Sequence, residues 1–352
     1  MEKRNNTYLM AVFTAFLLFS MSMSAQVVSP FNGAKLNDSV SDYSFIVSGH
    51  FHGQSNNGST FPAATVLSSI DTLNNIQPAF LMSLGDLFLD VDDVYLDHYK
   101  SSLFSKIKFP LFNTVGNHDI SNGNRYEKEY GKTFFSFVFA SELYIVLNTE
   151  LNDGSIKGEQ LAFLKSTLEA AQAAKIKNVF IFTHRPIWAE RIDKYKNLFL
   201  ENTRTAIGTN NFLEEIAPLL KPIAASKSVF WFSGSMGGGA ASFFYDKNDE
   251  YKIVFIQTAI RDTPKDAMLK VNVNNGNIKL EGLSITSQQL NAIERYDVEF
   301  WLKDSKPTTE FSYRLLPLYL KSMLLHRYFW YGAGFTLLCF IIIRLVLKRR
   351  KK

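Results

Sequence analysis

Apolar residues recur along the chain in two rhythms. Short runs of four to six, at residues 45–48, 80–84, 110–115, 179–182 and 229–232, suit strands buried on both faces. Between them lie stretches with helical spacing. Residues 61–74 carry Ala64, Val66, Leu67, Ile70 and Leu73 on one face, and residues 158–173 carry Leu161, Leu164, Leu168 and Ala171; residues 91–107 and 212–225 read as further helices. Strands alternating with helices predict parallel pairing through helical crossovers. The middle of the chain changes character: residues 133–140 and 143–149 are aromatic and β-branched around a short turn, which predicts a hairpin. Residues 190–209 read as an inserted loop or helix pair. A closing group of strands is expected at 242–246, 253–257, 269–273 and 278–283, with turn residues at 246–249 and 274–277. The pattern fits an α/β chain folded as a four-layer α/β/β/α sandwich of two mixed sheets, in one domain over residues 42–286.

The two ends follow other rules. Residues 1–25 read as a secretory signal peptide: Lys3 and Arg4, an apolar core from 8 to 19, then small residues up to Ala25. Residues 328–347 are mostly apolar with one charge at Arg344, long enough to cross ~30 Å of hydrocarbon as a helix. Tyr328, Phe329, Trp330 and Tyr331 suit one interface, and the basic tail 348–352 marks the cytoplasmic side. The expectation is a single-pass membrane protein with its main domain outside the cytoplasm and its C-terminus inside. Residues 287–327 would connect the two, with a leucine-rich, basic stretch from 314 to 327 that either lies along the membrane surface or packs as a helix on the domain.

Charge and cysteine then narrow the classes. The formal net charge is +5. Residues 1–25 contribute +1, and Arg344 with the basic tail +6, so the body carries about −2. A nearly neutral body lacks the basic stripe of a nucleic-acid-tracking enzyme. The one cysteine, Cys339, lies in the proposed span, so the external domain must be held by its core and not by disulfides. No G-x-S-x-G elbow points to a serine hydrolase.

Four polar clusters stand at strand ends: His50-Phe51-His52-Gly53, Gly85-Asp86, Gly116-Asn117-His118-Asp119 and Thr183-His184-Arg185-Pro186. In an open α/β sheet, ligands collect outside the carboxyl ends of the strands. Of the six histidines, His50, His52, His118 and His184 all fall at these ends. Imidazole, carboxylate and amide oxygen together suit Zn²⁺, Mn²⁺ or Fe.

With these motifs in this order, the sequence resembles the calcineurin-like metallophosphoesterase superfamily over residues 42–286. Gly85-Asp86 and Gly116-Asn117-His118-Asp119 match its central motifs, His184 its isolated histidine, and His52 the end of its first motif. The resemblance implies that Asp86 bridges two metals, that His52 binds the first and Asn117 with His184 the second. His118 would face the phosphoryl group, oriented by Asp119, while a metal-activated hydroxide attacks phosphorus. The implied substrate is a phosphomonoester or phosphodiester, and the implied cofactor one or two divalent transition-metal ions. Two departures stand out: His50 occupies the place of the first aspartate, and Ser235 and Gly237 those of the last two histidines. Asp86 is then the only matched carboxylate ligand, and two close dications would repel by several kcal/mol even when well screened. Three readings stay open: one metal held by His50, His52 and Asp86 or by Asp86, Asn117 and His184; a pair completed by Asp90, Asp92, Asp93 or Ser235; or an inactive domain that serves as a binding scaffold. The glycines 237–239 could also form an anion-binding concavity or simply a turn.

Overall fold

The structure, a computed structural model, describes residues 26–37, 41–54, 57–189, 191–195, 198, 210–236, 242–304, 324 and 327–349. The expected signal peptide, the glycines 237–239, the end of the basic tail and most of the 190–209 and 287–327 segments lie outside the described residues.

Two sheets face each other. The first runs β11-β10-β1-β2-β3, with β1 (Asp42–Ser48), β2 (Leu81–Ser83) and β3 (Leu111–Asn113) parallel. The second runs β4-β5-β6-β7-β9-β8, in which β5 (Glu142–Val146), β6 (Asn178–Thr183), β7 (Ser228–Ser233) and β9 (Ile253–Thr258) are parallel. The hairpin partner β4 (Phe135–Phe139) and the strand β8 (Phe243–Asn248) pair antiparallel at its edges. After β9 the chain returns to the first sheet. There β10 (Ala267–Asn274) pairs antiparallel with β1, and β11 (Asn277–Ser284) with β10. The α/β fold with two mixed sheets and helices matches the expectation.

The central strands are apolar without alternation because both faces are covered. Between the sheets, Phe45 lies 4.8 Å (ring centroids) from Phe80, and crosses to Phe180 at 5.3 Å and Tyr144 at 5.6 Å. Outside the first sheet, helices α1 (Ala64–Ile76) and α2 (Asp93–Tyr99) bury Val66, Ile70, Leu73, Leu96 and Tyr99 against Ile46, Leu81 and Leu111. α3 (Arg125–Tyr130) adds Tyr126 to that layer. Outside the second sheet, α4 (Gly158–Ala173) and α5 (Ala217–Ala224) contribute Leu164, Leu168, Leu220 and Ile223.

The packed body is larger than the 42–286 span expected from sequence. At its start Phe31 and Leu36 are buried, Ser29 Oγ donates to the Leu111 carbonyl (2.7 Å) and Asn32 Nδ2 to that of Phe109 (2.9 Å). At its end Ile293, Tyr296 and Trp301 sink into the core, Trp301 from the short helix α6 (Val298–Asp304). The indole of Trp301 donates to the Phe243 carbonyl at 3.0 Å. The charges around these few apolar residues had made the segment look like a linker.

The last described helix, α7 (Arg327–Arg349), contains residues 329–349, long and apolar enough to cross a membrane.

Candidate metal centre

The parallel strands of each sheet end at one edge, and there the sheets meet. Gly49, just past β1, forms a parallel bridge with Ala259, just past β9; Ile260 N donates to the Gly49 carbonyl at 2.9 Å. The approach is close. A Cβ on Gly49 would stand 3.0 Å from Gly234 Cα, and one on Gly234 would stand 2.5 Å from Leu84 Cβ and nearer still to the Leu84 carbonyl. Glycine at both places lets the loops from β1, β2, β6 and β7 share a pocket.

Asp86 is its centre. It is buried, and its backbone is left-handed (φ 53°), as is that of the half-buried His50 (φ 56°), a region sparsely used by such residues and common at functional sites. Asp86 Oδ1 accepts from the His118 backbone N–H at 3.1 Å. Its other oxygen, Oδ2, faces three imidazoles: His50 Nε2 and His52 Nε2 at 3.6 Å, and His184 Nε2 at 3.5 Å. None of these three nitrogens has a hydrogen-bond partner, although all are buried. Buried polar atoms normally find partners, so an orphaned trio aimed at one carboxylate oxygen suits a cation. Tetrahedral ligands with ~2.1 Å bonds stand ~3.4 Å apart, close to the three observed separations.

The protonation states agree. Burial alone would raise the Asp86 carboxyl, but His184, His52 and His50 outweigh it and hold it well below the ordinary carboxylate range. Burial, joined by the charges of His184, His52 and Arg261, overrides Asp86 and holds His50 well below the usual imidazole range. A neutral imidazole is the form that binds metal. His184 is fixed from behind: its Nδ1–H donates to the Leu84 carbonyl at 2.8 Å, leaving Nε2 as the lone-pair atom. Burial opposes its protonation, yet Asp86, Glu150 and that carbonyl raise its pKa. Next to it, Arg185 Nε reaches both oxygens of the buried Glu150 at 2.8 and 2.9 Å. Sequence reading had missed this pair, since no spacing rule links residues 150 and 185.

The other expected residues divide. His118 stands beside His52, ring centroids 4.9 Å apart, with its Nδ1 bonded to the Leu89 carbonyl at 3.0 Å. Asn117 is exposed. The Asp119 carboxylate accepts from Phe88 N–H (2.9 Å), Gly116 N–H (2.9 Å) and Asn113 Nδ2 (3.2 Å), so it braces the loops, while the described contact of the His118 ring is with Leu89. Burial, then the charge of Asp86, push the Asp119 carboxyl up to about 6 against those three bonds. The aspartates considered for completing a pair are engaged elsewhere. Asp90 accepts from Ser121 Oγ and Asn122 Nδ2, Asp92 caps α2 through Tyr95 N–H, and Asp93 pairs with Arg125. Ser235 donates its N–H to the His184 carbonyl (2.7 Å), and its own carbonyl accepts from Gln257 Nε2 (2.9 Å).

Comparison with known proteins agrees with this architecture. No family model matches the chain. Over 96 residues it is 31% identical to the serine/threonine-protein phosphatase CPPED1 of Pongo abelii, a match covering 24% of this chain and 31% of that protein. Among solved structures, the purple acid phosphatase PPD1 from yellow lupin (Lupinus luteus) seeds superposes with a TM-score of 0.51 at 14% identity, over 80% of this chain and 59% of that one. GAP50, described as the anchor in the inner membrane complex of Plasmodium, gives 0.49 at 12% identity, over 75% and 95%. The chain thus spans less than two thirds of the length of both phosphatases.

Proposed function

We propose that this chain, which has the fold of the calcineurin-like metallophosphoesterase superfamily, is a membrane-anchored, metal-dependent phosphoesterase acting outside the cytoplasm. The observation that carries the reading is the convergence of His50, His52 and His184, through buried and unpartnered Nε2 atoms, on Asp86 Oδ2. His50, Asp86 and His184, with His52 facing the same carboxylate oxygen, would hold a divalent cation, Zn²⁺, Mn²⁺ or Fe²⁺ by donor chemistry. Such an ion polarises a phosphoryl oxygen and makes water more acidic.

The protein's own groups divide the remaining work. The Leu84 carbonyl fixes the tautomer and direction of the His184 ring. His118, its Nδ1 committed to Leu89, keeps Nε2 as the atom that gives or takes a proton at the phosphoester. Asp119 ties the Phe88 and Gly116 backbones together and so sets the distance between the loops that carry Asp86 and His118. Asn117, exposed in the same loop, would offer its amide to the cation or to the substrate. The apolar helix α7 would span the bilayer, with the following cations on the cytoplasmic side and the body on the other.

The test uses the full chain in detergent. Metal content is measured as purified, then hydrolysis of a generic phosphomonoester and a phosphodiester with Zn²⁺, Mn²⁺ or Fe²⁺ added. Turnover that needs metal and disappears in Asp86→Ala is expected. A wild-type protein that binds metal without turnover, or binds none, would leave a non-catalytic binding domain. A reporter fused after Lys352 should be active only in the cytoplasm.

A further inference from the structure

Asp86 is shared by two sets of donors. The ligand atoms of His50, Asp86 and His184 lie within 4.8 Å of one another, and so, separately, do those of His52, Asp86 and His118. The second set includes His118, which the family resemblance places outside the coordination sphere. Its surroundings argue otherwise. The His118 ring donates Nδ1–H to the Leu89 carbonyl at 3.0 Å, as the His184 ring does to Leu84 at 2.8 Å. A backbone carbonyl on one ring nitrogen is the usual support for a histidine that ligates through the other. His52 is buried with both ring nitrogens unpartnered, and its ring centroid is 4.9 Å from that of His118.

Charge decides how many cations these donors can hold. Two dications separated by a shared carboxylate repel four times as strongly as two unit charges at the same distance. Among the described residues, the anions nearby are committed. Glu150 is bonded to Arg185, Asp90 to Ser121 and Asn122, and Asp119 to two backbone N–H groups and Asn113. The Arg261 guanidinium adds a further positive charge that is felt at His50. Among the described residues, Asp86 is the one carboxylate whose oxygen faces the imidazole nitrogens; Glu150 and Asp119 act on His184 from farther away.

We infer that the centre holds a single divalent cation distributed between two overlapping positions, His50–Asp86–His184 and His52–Asp86–His118, that share Asp86 and are never filled together. The first position is the tighter, since both its imidazole nitrogens stand 3.5–3.6 Å from Asp86 Oδ2. Occupation of the second engages His118 as a ligand, so that His118 is free for proton transfer only while the cation sits in the first. This inference rests on the metal-binding part of the function proposed above.

Cobalt(II) serves as the probe, because its visible spectrum reports the donor set independently of turnover. The full chain should bind one equivalent. His184→Gln should still bind one, at least tenfold more weakly and with an altered spectrum, and adding His118→Gln should weaken it at least a further tenfold. In the wild type, histidine-ring resonances of both His184 and His118 should move together as Zn²⁺ is added up to one equivalent; this measurement needs no variant. Two tightly bound equivalents, or no effect of His118→Gln in the His184→Gln background together with an unmoved His118 resonance, would overturn the inference while leaving the metalloenzyme reading intact. A wild-type protein that binds no metal would overturn both.

Discussion

A single methyl group at Gly116 offers a sharp test of the centre. Gly116 follows β3 and sits against Asp86: a Cβ there would lie 2.5 Å from the Asp86 backbone nitrogen and closer still to its Oδ1. Rotating the Asp86 side chain would relieve only the second clash, so the two loops themselves must separate. Ordinary contact begins near 3.4 Å, which requires a displacement of about 1 Å. Metal–ligand distances tolerate only ~0.2 Å, so Gly116→Ala should remove Asp86 from the ligand set. The expected loss of Zn²⁺ affinity is at least ~100-fold, or about 2.7 kcal/mol. The assay is calorimetric Zn²⁺ titration of the full chain, with far-ultraviolet circular dichroism to confirm folding. Gly332→Ala is the control, since a methyl there meets nothing within 4 Å. Affinity within twofold of wild type in a folded Gly116→Ala protein would refute the claim that Asp86 and the Gly116 loop are locked together.

Three further outcomes are expected. Asp119→Ala should lower the stability of the metal-free protein by about 3 kcal/mol or more in urea unfolding, because two backbone N–H groups and the Asn113 amide lose their buried acceptor; a loss under about 1 kcal/mol would contradict the bracing role. Burial pushes the Glu142 carboxyl up to about 6, above its ordinary 4.5, so the folded chain holds a proton that the unfolded chain has released between these values. Stability should therefore fall by about 1–2 kcal/mol as pH rises from 4.5 through 6, a slope that Glu142→Gln should flatten in melts at stepped pH. Trp301→Ala should cost about 3–5 kcal/mol by the same melts if residues up to 304 belong to the body; a change near zero would restore the boundary at 286.

Sequence reading served well where one physical rule dominated. The helix expected at 158–173 is found at those residues, around its apolar stripe from Leu161 to Ala171. Residues 91–107 and 212–225 were expected as single helices, but each contains a π turn, at Lys100–Phe104 and Phe212–Ile216, which an apolar period cannot reveal. β2 and β3 are only three residues long, shorter than the apolar runs around them, although Leu84 N–H still donates to the Ser48 carbonyl and Thr114 N–H to that of Ser83. The ligand candidates were visible as histidines and an aspartate at strand ends. What stayed hidden were the partners supplied by backbone: the Leu84 and Leu89 carbonyls behind two imidazoles, and the N–H groups that claim Asp119. A carbonyl is present at every residue, so no sequence pattern singles out the one that counts.

The ligands come from both sides of the crossing between Gly49 and Ala259, His50, His52 and Asp86 from one sheet and His184 from the other. An ion gripped by His50, Asp86 and His184 would act as a rivet through the molecule, and its affinity would be added to the work of prising the halves apart. Proteolysis of the body, slow while the rivet is in place, would then report how well charged with metal its compartment keeps it.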